Sequence, residues 1–271
     1  MSVTRVTDKS PDSGADTRRD SPGPRWTAAL VTGGSSGVGL ALARRLVSDG
    51  TTVLVCGRDP GRLADAATQV PGLRTLVADL SDPDDVARLA RTAADLPGLD
   101  LVVHNAAVQL DRDWVVTPRL GETGPLVRDA TTELATDLGA PLHLTAHLLP
   151  VLAEAPRAAV VSVTSALGTV PKRSAPVYCA AKAGLSAFTT SLRYQLRATA
   201  SHVRAIEVAL PLVDTAMTAG RGARKITPDA AAAAILTALA RRKDRVHVGA
   251  VKPLLAIHRV APRLAARIVA D

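Results

Sequence analysis

Aromatic side chains are nearly missing from this sequence: one Phe, two Tyr and two Trp make up 2% of 271 residues. A protein that binds single strands by stacking successive bases needs several aromatic faces, so no nucleic-acid partner is expected. Cysteine is almost as scarce, and Cys56 and Cys179 show no metal-ligand spacing. No metal is expected, and both read as reduced thiols. No apolar run approaches the roughly 20 residues that span a bilayer, and no charged-then-apolar signal segment opens the chain. Together these absences point to a cytoplasmic protein.

What is present is globular in character, with 47% hydrophobic and 21% charged residues. The length suits one α/β domain of about 250 residues. The net charge of +8 is uneven: residues 221–271 hold eleven Lys and Arg against three Asp, while the remainder carries 22 of each sign. Residues 1–25 mix Ser, Asp, Thr, Pro, Gly and Arg without apolar periodicity and read as a disordered tail. Residues 26–250 read as the folded domain and 251–271 as a basic amphipathic helix.

From Trp26 onward, short β-branched runs alternate with stretches of helical period. The runs are Ala28–Val31, Thr52–Val55, Leu73–Val77, Leu101–Val103 and Ala159–Val163, with later candidates at Val203–Leu210 and Arg245–Val248. Helices are expected at Val38–Ser48 and Asp82–Leu96, the second opened by the caps Ser81 and Asp82. Strands joined by helices of this length imply right-handed crossovers and a doubly wound, Rossmann-type α/β fold with a parallel sheet of seven strands. Ligands then bind at the carboxyl ends of the strands. The connection Gln109–Pro125 is expected to be a mobile loop beside that site.

The first run delivers the chain into Thr32-Gly33-Gly34-Ser35-Ser36-Gly37-Val38-Gly39, followed at once by helix. Strand, glycine turn and helix in that order offer free backbone N–H groups and a positive helix end to a pyrophosphate. The candidates are Gly33, Ser35, Ser36, Gly37, Val38 and Gly39. An acidic residue at the end of the second strand would select NAD(H) through the ribose hydroxyls, whereas an arginine there meets a 2′-phosphate. Gly57 and Arg58 stand at that point, which favours NADP(H).

Tyr178 and Lys182, four apart in an alanine-rich helical stretch, lie on one face. An ammonium beside a phenol stabilises the phenolate and lowers its pKa, so Tyr178 can exchange a proton. Ser165 follows the run Ala159–Val163, where a hydroxyl can hydrogen-bond a substrate oxygen. Ser162 and Thr164 are rivals that alternation cannot exclude, but the turn Ala166-Leu167-Gly168 favours Ser165.

Taken together, these motifs resemble the short-chain dehydrogenase/reductase family over nearly all of residues 26–250. The resemblance implies that Ser165 orients a carbonyl, Tyr178 exchanges the proton, and Lys182 also holds the nicotinamide ribose. It further implies contacts from Asp79 to the adenine and from Thr215 to the carboxamide, and a place for Asn105 after the fourth strand. Three departures stand out: Asn105-Ala106-Ala107 ends in alanine instead of glycine, Leu212 replaces a glycine, and Asp137 occupies the place of the asparagine that completes a catalytic tetrad. The expected activity is hydride transfer between NADP(H) and a carbonyl or alcohol of a small molecule, in a homodimer or homotetramer. A cofactor-binding scaffold that has lost the reaction, and a basic membrane-surface protein, are the alternatives.

Other features are weaker. His143 and His147 share a helix face without a third ligand, Cys179 reads as a packed thiol, and the arginines of Gln109–Pro125 and Thr215–Ile226 allow an anionic or polar substrate without choosing one. Val251, Leu254, Leu255, His258, Ala261, Leu264, Ala265 and Ile268 recur at helical spacing beside Lys252, Arg259, Arg263 and Arg267. That pattern, shortened by Pro253 and Pro262, fits a terminal helix docked on its own domain and also permits weak contact with an anionic membrane surface.

Overall fold

The computed structural model describes residues 25–222 and 224–270. All but the last residue of the tail expected at 1–25 lies outside them. Seven parallel strands form one sheet: β1 (Ala28–Thr32), β2 (Thr52–Gly57), β3 (Arg74–Val77), β4 (Leu99–His104), β5 (Ala158–Ser165), β6 (Val203–Leu210) and β7 (Arg245–His247). Their order is β3-β2-β1-β4-β5-β6-β7. The chain reverses direction across the sheet between β1 and β4, where a crevice opens at the carboxyl ends.

Ten helices connect and flank the strands among the described residues: α1 (Gly37–Ser48), α2 (Pro60–Gln69), α3 (Pro83–Ala94), α4 (Val116–Arg119), α5 (Thr123–Leu134), α6 (Ala140–Glu154), α7 (Pro176–Thr199), α8 (Pro228–Ala240), α9 (Val251–Val260) and α10 (Pro262–Val269). Strand alternation divides the core into two layers. Ala29 and Val31 of β1 face Leu42 and Leu46 of α1 and Ile235 of α8, while Ala28 and Leu30 face Leu89 of α3, Leu144 and Leu148 of α6 and Leu192 of α7. Burial on both faces explains why the central strands read as continuous apolar runs. β3, at the sheet edge, is largely exposed.

Local signals set several boundaries. Asp82 caps α3 by accepting the Asp84 N–H at 2.9 Å, with Pro83 in the first turn. Ser81 does not cap; its hydroxyl and N–H both bond the Asp79 carboxylate. The stretch expected as a loop at Gln109–Pro125 is partly helical, because the Asp113 carboxylate accepts the N–H groups of Val115 and Val116 at 2.8 Å and starts α4. The single C-terminal helix expected over 251–271 is two helices. Pro262, without an N–H, ends α9 and opens α10.

Between α5 and α6 the chain makes a π-helical turn, Ala135–Gly139, the wider winding that commonly marks functional sites. Pro141 follows it. Having no N–H, Pro141 cannot serve the carbonyl of Asp137 four residues back as an α-helix would.

Candidate active site

Glycine shapes the crevice where β1 ends. Gly33 and Gly37 adopt positive φ (65° and 55°), and a Cβ on Gly39 would fall 2.3 Å from the Gly33 carbonyl oxygen and 2.6 Å from Asn105 Nδ2. Thr32 and Asn105 fasten the two strand ends together. The Thr32 hydroxyl accepts the N–H groups of Asn105 and Ala106 at 3.0 Å, and Asn105 Nδ2 donates to the Thr32 carbonyl at 2.9 Å. Ser36 precedes α1 in extended conformation and makes no side-chain cap. The first-turn N–H groups of α1 therefore point into the crevice as donors for an anion, with Ser35, Val38 and Gly39 around them. Thr215, after β6, closes the other side: a Cβ on Gly37 would lie 3.0 Å from its methyl.

At the end of β2, a Cβ on Gly57 would meet Ser35 Oγ at 3.1 Å. A carboxylate side chain there would crowd the loop. Asp59, the nearby acid, is turned away to cap α2, accepting the Arg62 N–H at 3.1 Å. Arg58 is thereby the exposed charge next to Gly57. Asp79 lies past β3, its carboxylate held by Ser81 and its N–H donated to Asp85 at 2.8 Å.

Along the rim, β5 ends at Ser165, whose Oγ accepts the Leu167 N–H at 3.2 Å and lies near enough to the Tyr178 hydroxyl to favour its ionised form. The rivals are occupied elsewhere. Ser162 accepts from Thr189, and Thr164 donates to the Glu207 carboxylate at 3.0 Å; both are buried. The turn after Ser165 can lie against α7 because Gly168 has no side chain; a Cβ there would sit 2.9 Å from the Ala183 nitrogen. Cys179 is buried and accepts the Lys172 N–H, and His143 and His147 are exposed on α6.

One turn beyond Tyr178, Lys182 is almost wholly buried. Its Nζ stands 3.2 Å from Asp137 Oδ2, 3.5 Å from the Val163 carbonyl and 5.4 Å from the centre of the Tyr178 ring. Burial favours loss of the lysine proton, but Asp137, Tyr178 and Glu133 outweigh it and hold Lys182 above its usual range. Asp137 is fully buried and also accepts the Val108 N–H at 2.8 Å. Burial pushes its carboxyl up, against Lys182 and that N–H. Tyr178 corrects one expectation: its pKa is raised, because burial together with the Asp137 charge outweighs the lowering by Lys182 and Ser165. His104, just before Asn105, is held neutral by burial and the Lys182 charge, its pKa pushed down to about 3.

Glu133 escapes sequence reasoning. It is buried four residues before Asp137, and its carboxylate accepts the Leu110 N–H at 3.2 Å. Only its spacing from Asp137 hinted at a shared face. Several charges at the mouth already have partners. Arg112 is paired with Asp129 at 2.5 Å, Arg221 with Asp111 at 3.2 Å, and Lys225 with Asp214 at 3.5 Å. Internal partners neutralise much of the charge that an anionic substrate would use.

Comparison with known proteins agrees with this geometry. The family model described as short chain dehydrogenase matches residues 27–225, so the chain belongs to that family of oxidoreductases. It is 42% identical over 189 residues to the uncharacterized oxidoreductase DltE of Bacillus subtilis (strain 168), covering 69% of this chain and 72% of the relative. Its structure is similar to a short chain dehydrogenase from Burkholderia cenocepacia J2315 in complex with NADP, with TM-score 0.74 and 26% identity, over 89% of this chain and 95% of the other. A short-chain dehydrogenase from Sphingobium yanoikuyae in complex with NADPH shares the fold, with TM-score 0.74 and 22% identity over 89% and 93% of the two chains.

The glycine loop yields a direct test. Gly39→Ala forces a methyl against the Gly33 carbonyl and Asn105, so it should cost about 1–3 kcal/mol in a denaturant titration. It should also abolish tight dinucleotide binding measured by calorimetry.

Proposed function

We propose that this chain is an NADP(H)-dependent oxidoreductase that moves a hydride between the nicotinamide and a carbonyl or alcohol carbon of a small molecule. One observation carries the reading: Ser165, Tyr178 and Lys182 are brought together at the carboxyl ends of the strands beside the uncapped start of α1. The loop fits a dinucleotide, because its glycines leave a cradle that any Cβ at Gly39 would fill. Gly33, Ser35, Ser36, Gly37, Val38 and Gly39 would hold the pyrophosphate, Arg58 the 2′-phosphate, and Asp79 the adenine. Asn105, Thr215, Tyr178 and Lys182 would hold the nicotinamide half. When bound, the cofactor supplies or accepts the hydride at C4 of its ring.

The chain's own residues do the rest. Ser165 donates a hydrogen bond to the substrate oxygen, and Tyr178 gives that oxygen its proton in reduction or takes it in oxidation. Lys182 holds positive charge where the phenolate develops. Because burial and Asp137 keep Tyr178 protonated across the neutral range, the resting site is poised as a proton donor. Reduction of a carbonyl is the direction expected when the cofactor is NADPH. The NADP complex of the Burkholderia protein supports the cofactor assignment, as do Gly57, Arg58 and the diversion of Asp59.

A second reading concerns location. On the C-terminal helices Val260, Leu264 and Ile268 form an exposed apolar stripe, at 82%, 51% and 54% exposure, with Arg259, Arg263 and Arg267 alongside. Such a stripe suits shallow contact with an anionic lipid surface. No described helix is long and apolar enough to cross a membrane.

Three outcomes follow. In a screen of ketones and aldehydes read by NADPH consumption, Tyr178→Phe should lose about 10²–10⁴-fold in turnover, a far larger change than any in NADPH affinity; full activity would refute the assignment. Arg58→Asp should weaken NADPH relative to NADH by roughly 10–100-fold in fluorescence titrations, the worth of a charged hydrogen bond. The parent should co-sediment with phosphatidylglycerol vesicles at low salt and not with phosphatidylcholine, and Leu264→Glu with Ile268→Glu should abolish this. Equal recovery with both lipids, or with the double variant, would remove the membrane reading.

A further inference from the structure

Behind the catalytic lysine lies a second carboxylate that the reaction as described does not use. Glu133 and Asp137 are one turn apart where α5 meets the π-helical turn, both with almost no solvent exposure. They accept alternate N–H groups of the chain leaving β4: Val108 gives to Asp137 at 2.8 Å, and Leu110 gives to Glu133 at 3.2 Å. An extended strand exit, with period two, is thus clamped to a helix by side chains spaced at one turn. Asp137 completes the clamp at Lys182.

Charge counting sets the problem. Two carboxylates and one ammonium occupy this interior, and His104 contributes no charge. The remaining groups that face Glu133 are Asp111 from the loop after β4, which is paired to Arg221, and Cys179 on α7. None of them is a second buried cation. Two like charges in low dielectric cannot both ionise without cost, so one proton is retained until the solution is well above the usual carboxylate range.

We propose that Glu133 is a positioning residue of this reaction: with Asp137 it forms a carboxylate pair that holds the strand-exit wall and stores one proton behind Lys182. The pair regulates how much of the ammonium's charge reaches Tyr178. With the pair singly protonated, Lys182 and one carboxylate balance. Once Glu133 ionises, the interior carries a net negative charge, and the phenolate of Tyr178 becomes harder to form. Burial, followed by the charges of Asp137 and Asp111, raises Glu133 to about 7 against the pull of the Leu110 N–H and Lys182, so the change falls near neutrality. The inference rests on Tyr178 being the acid–base group, but its test needs neither substrate nor cofactor.

Two features of composition make that test clean. The chain has only four glutamates (Glu122, Glu133, Glu154 and Glu207) and only two tyrosines, of which Tyr194 is exposed. In protein labelled with ¹³C at the glutamate carboxyl, one of four resonances should titrate near pH 7 and vanish in Glu133→Gln. Four resonances all titrating in the ordinary carboxylate range would overturn the proposal without any variant. In a Tyr194→Phe background, the alkaline rise in tyrosinate absorbance reports Tyr178 alone. Adding Glu133→Gln, which keeps an oxygen for the Leu110 N–H, should move that rise down by about half a pH unit or more, the scale of one nearby charge. Glu133→Asp, which keeps the charge, should leave it in place. A Glu133→Gln curve that coincides with the background, or an equal shift in Glu133→Asp, would reduce Glu133 to a structural role. Absence of dehydrogenase activity would alter neither titration, so failure of the functional reading and failure of this one are separable.

Discussion

A single buried ammonium, that of Lys182, is the constraint on which the rest of the site depends. A charge taken out of water must be matched at close range, and removing one partner of such a pair costs about 3–5 kcal/mol. Here the match is assembled from separate elements: Asp137 from the π-helical turn, the Val163 carbonyl from β5, and the Tyr178 ring from α7 itself. None of these can shift without leaving the ammonium unmatched. The position of Tyr178 relative to Ser165 is therefore fixed by the electrostatics of the lysine as much as by packing. The aspartate also changes what the lysine does. A neutral amide would leave the ammonium's field directed at the phenol, whereas the carboxylate absorbs part of it and adds to the burial that holds Tyr178 above its usual range.

What could be read from sequence was what depends on period and on backbone chemistry. Seven apolar runs became seven strands, because a sheet covered on both faces needs continuous hydrophobic stretches. Tyr178 and Lys182 share a face because helices repeat every 3.6 residues. The choice among Ser162, Thr164 and Ser165 was not accessible in this way. Thr189 and Glu207, residues 27 and 43 positions away, occupy the first two hydroxyls and leave Ser165 facing the rim. Glu133 stayed hidden for a related reason: glutamate is usually exposed, and only the three-dimensional meeting of α5 with the strand exit shows that this one is not.

The same limit applies to charge. A count of arginines around the mouth left an anionic or a polar substrate open, and a sequence does not show which charges already have partners. Asp111, Asp129 and Asp214 take up Arg221, Arg112 and Lys225. Arg221 also donates to the Gln109 carbonyl at 3.3 Å, so it ties the segment after β6 to the one after β4. These pairs give the mouth a shape, and Arg119 and Arg224 stay exposed beside them. At the cofactor end, Asp59 is removed from competition by a helix cap, and Arg58 is left as the charge beside Gly57.

The C-terminal helices show how far the domain itself extends. Sequence placed a boundary at residue 250, where the apolar pattern becomes basic and amphipathic. Val251, Leu254 and Leu255 of α9 nevertheless pack with Ala166 and Ala209. Ala166 is the residue after Ser165, so α9 supports the turn that ends β5 and carries the Ser165 hydroxyl. The arginines then have a simple placement. The inward face is made of residues such as Val251 and Ala265, both buried, and the charges with the stripe of Val260, Leu264 and Ile268 are left outside. Any contact made by that outer face is therefore one helix away from the support of Ser165.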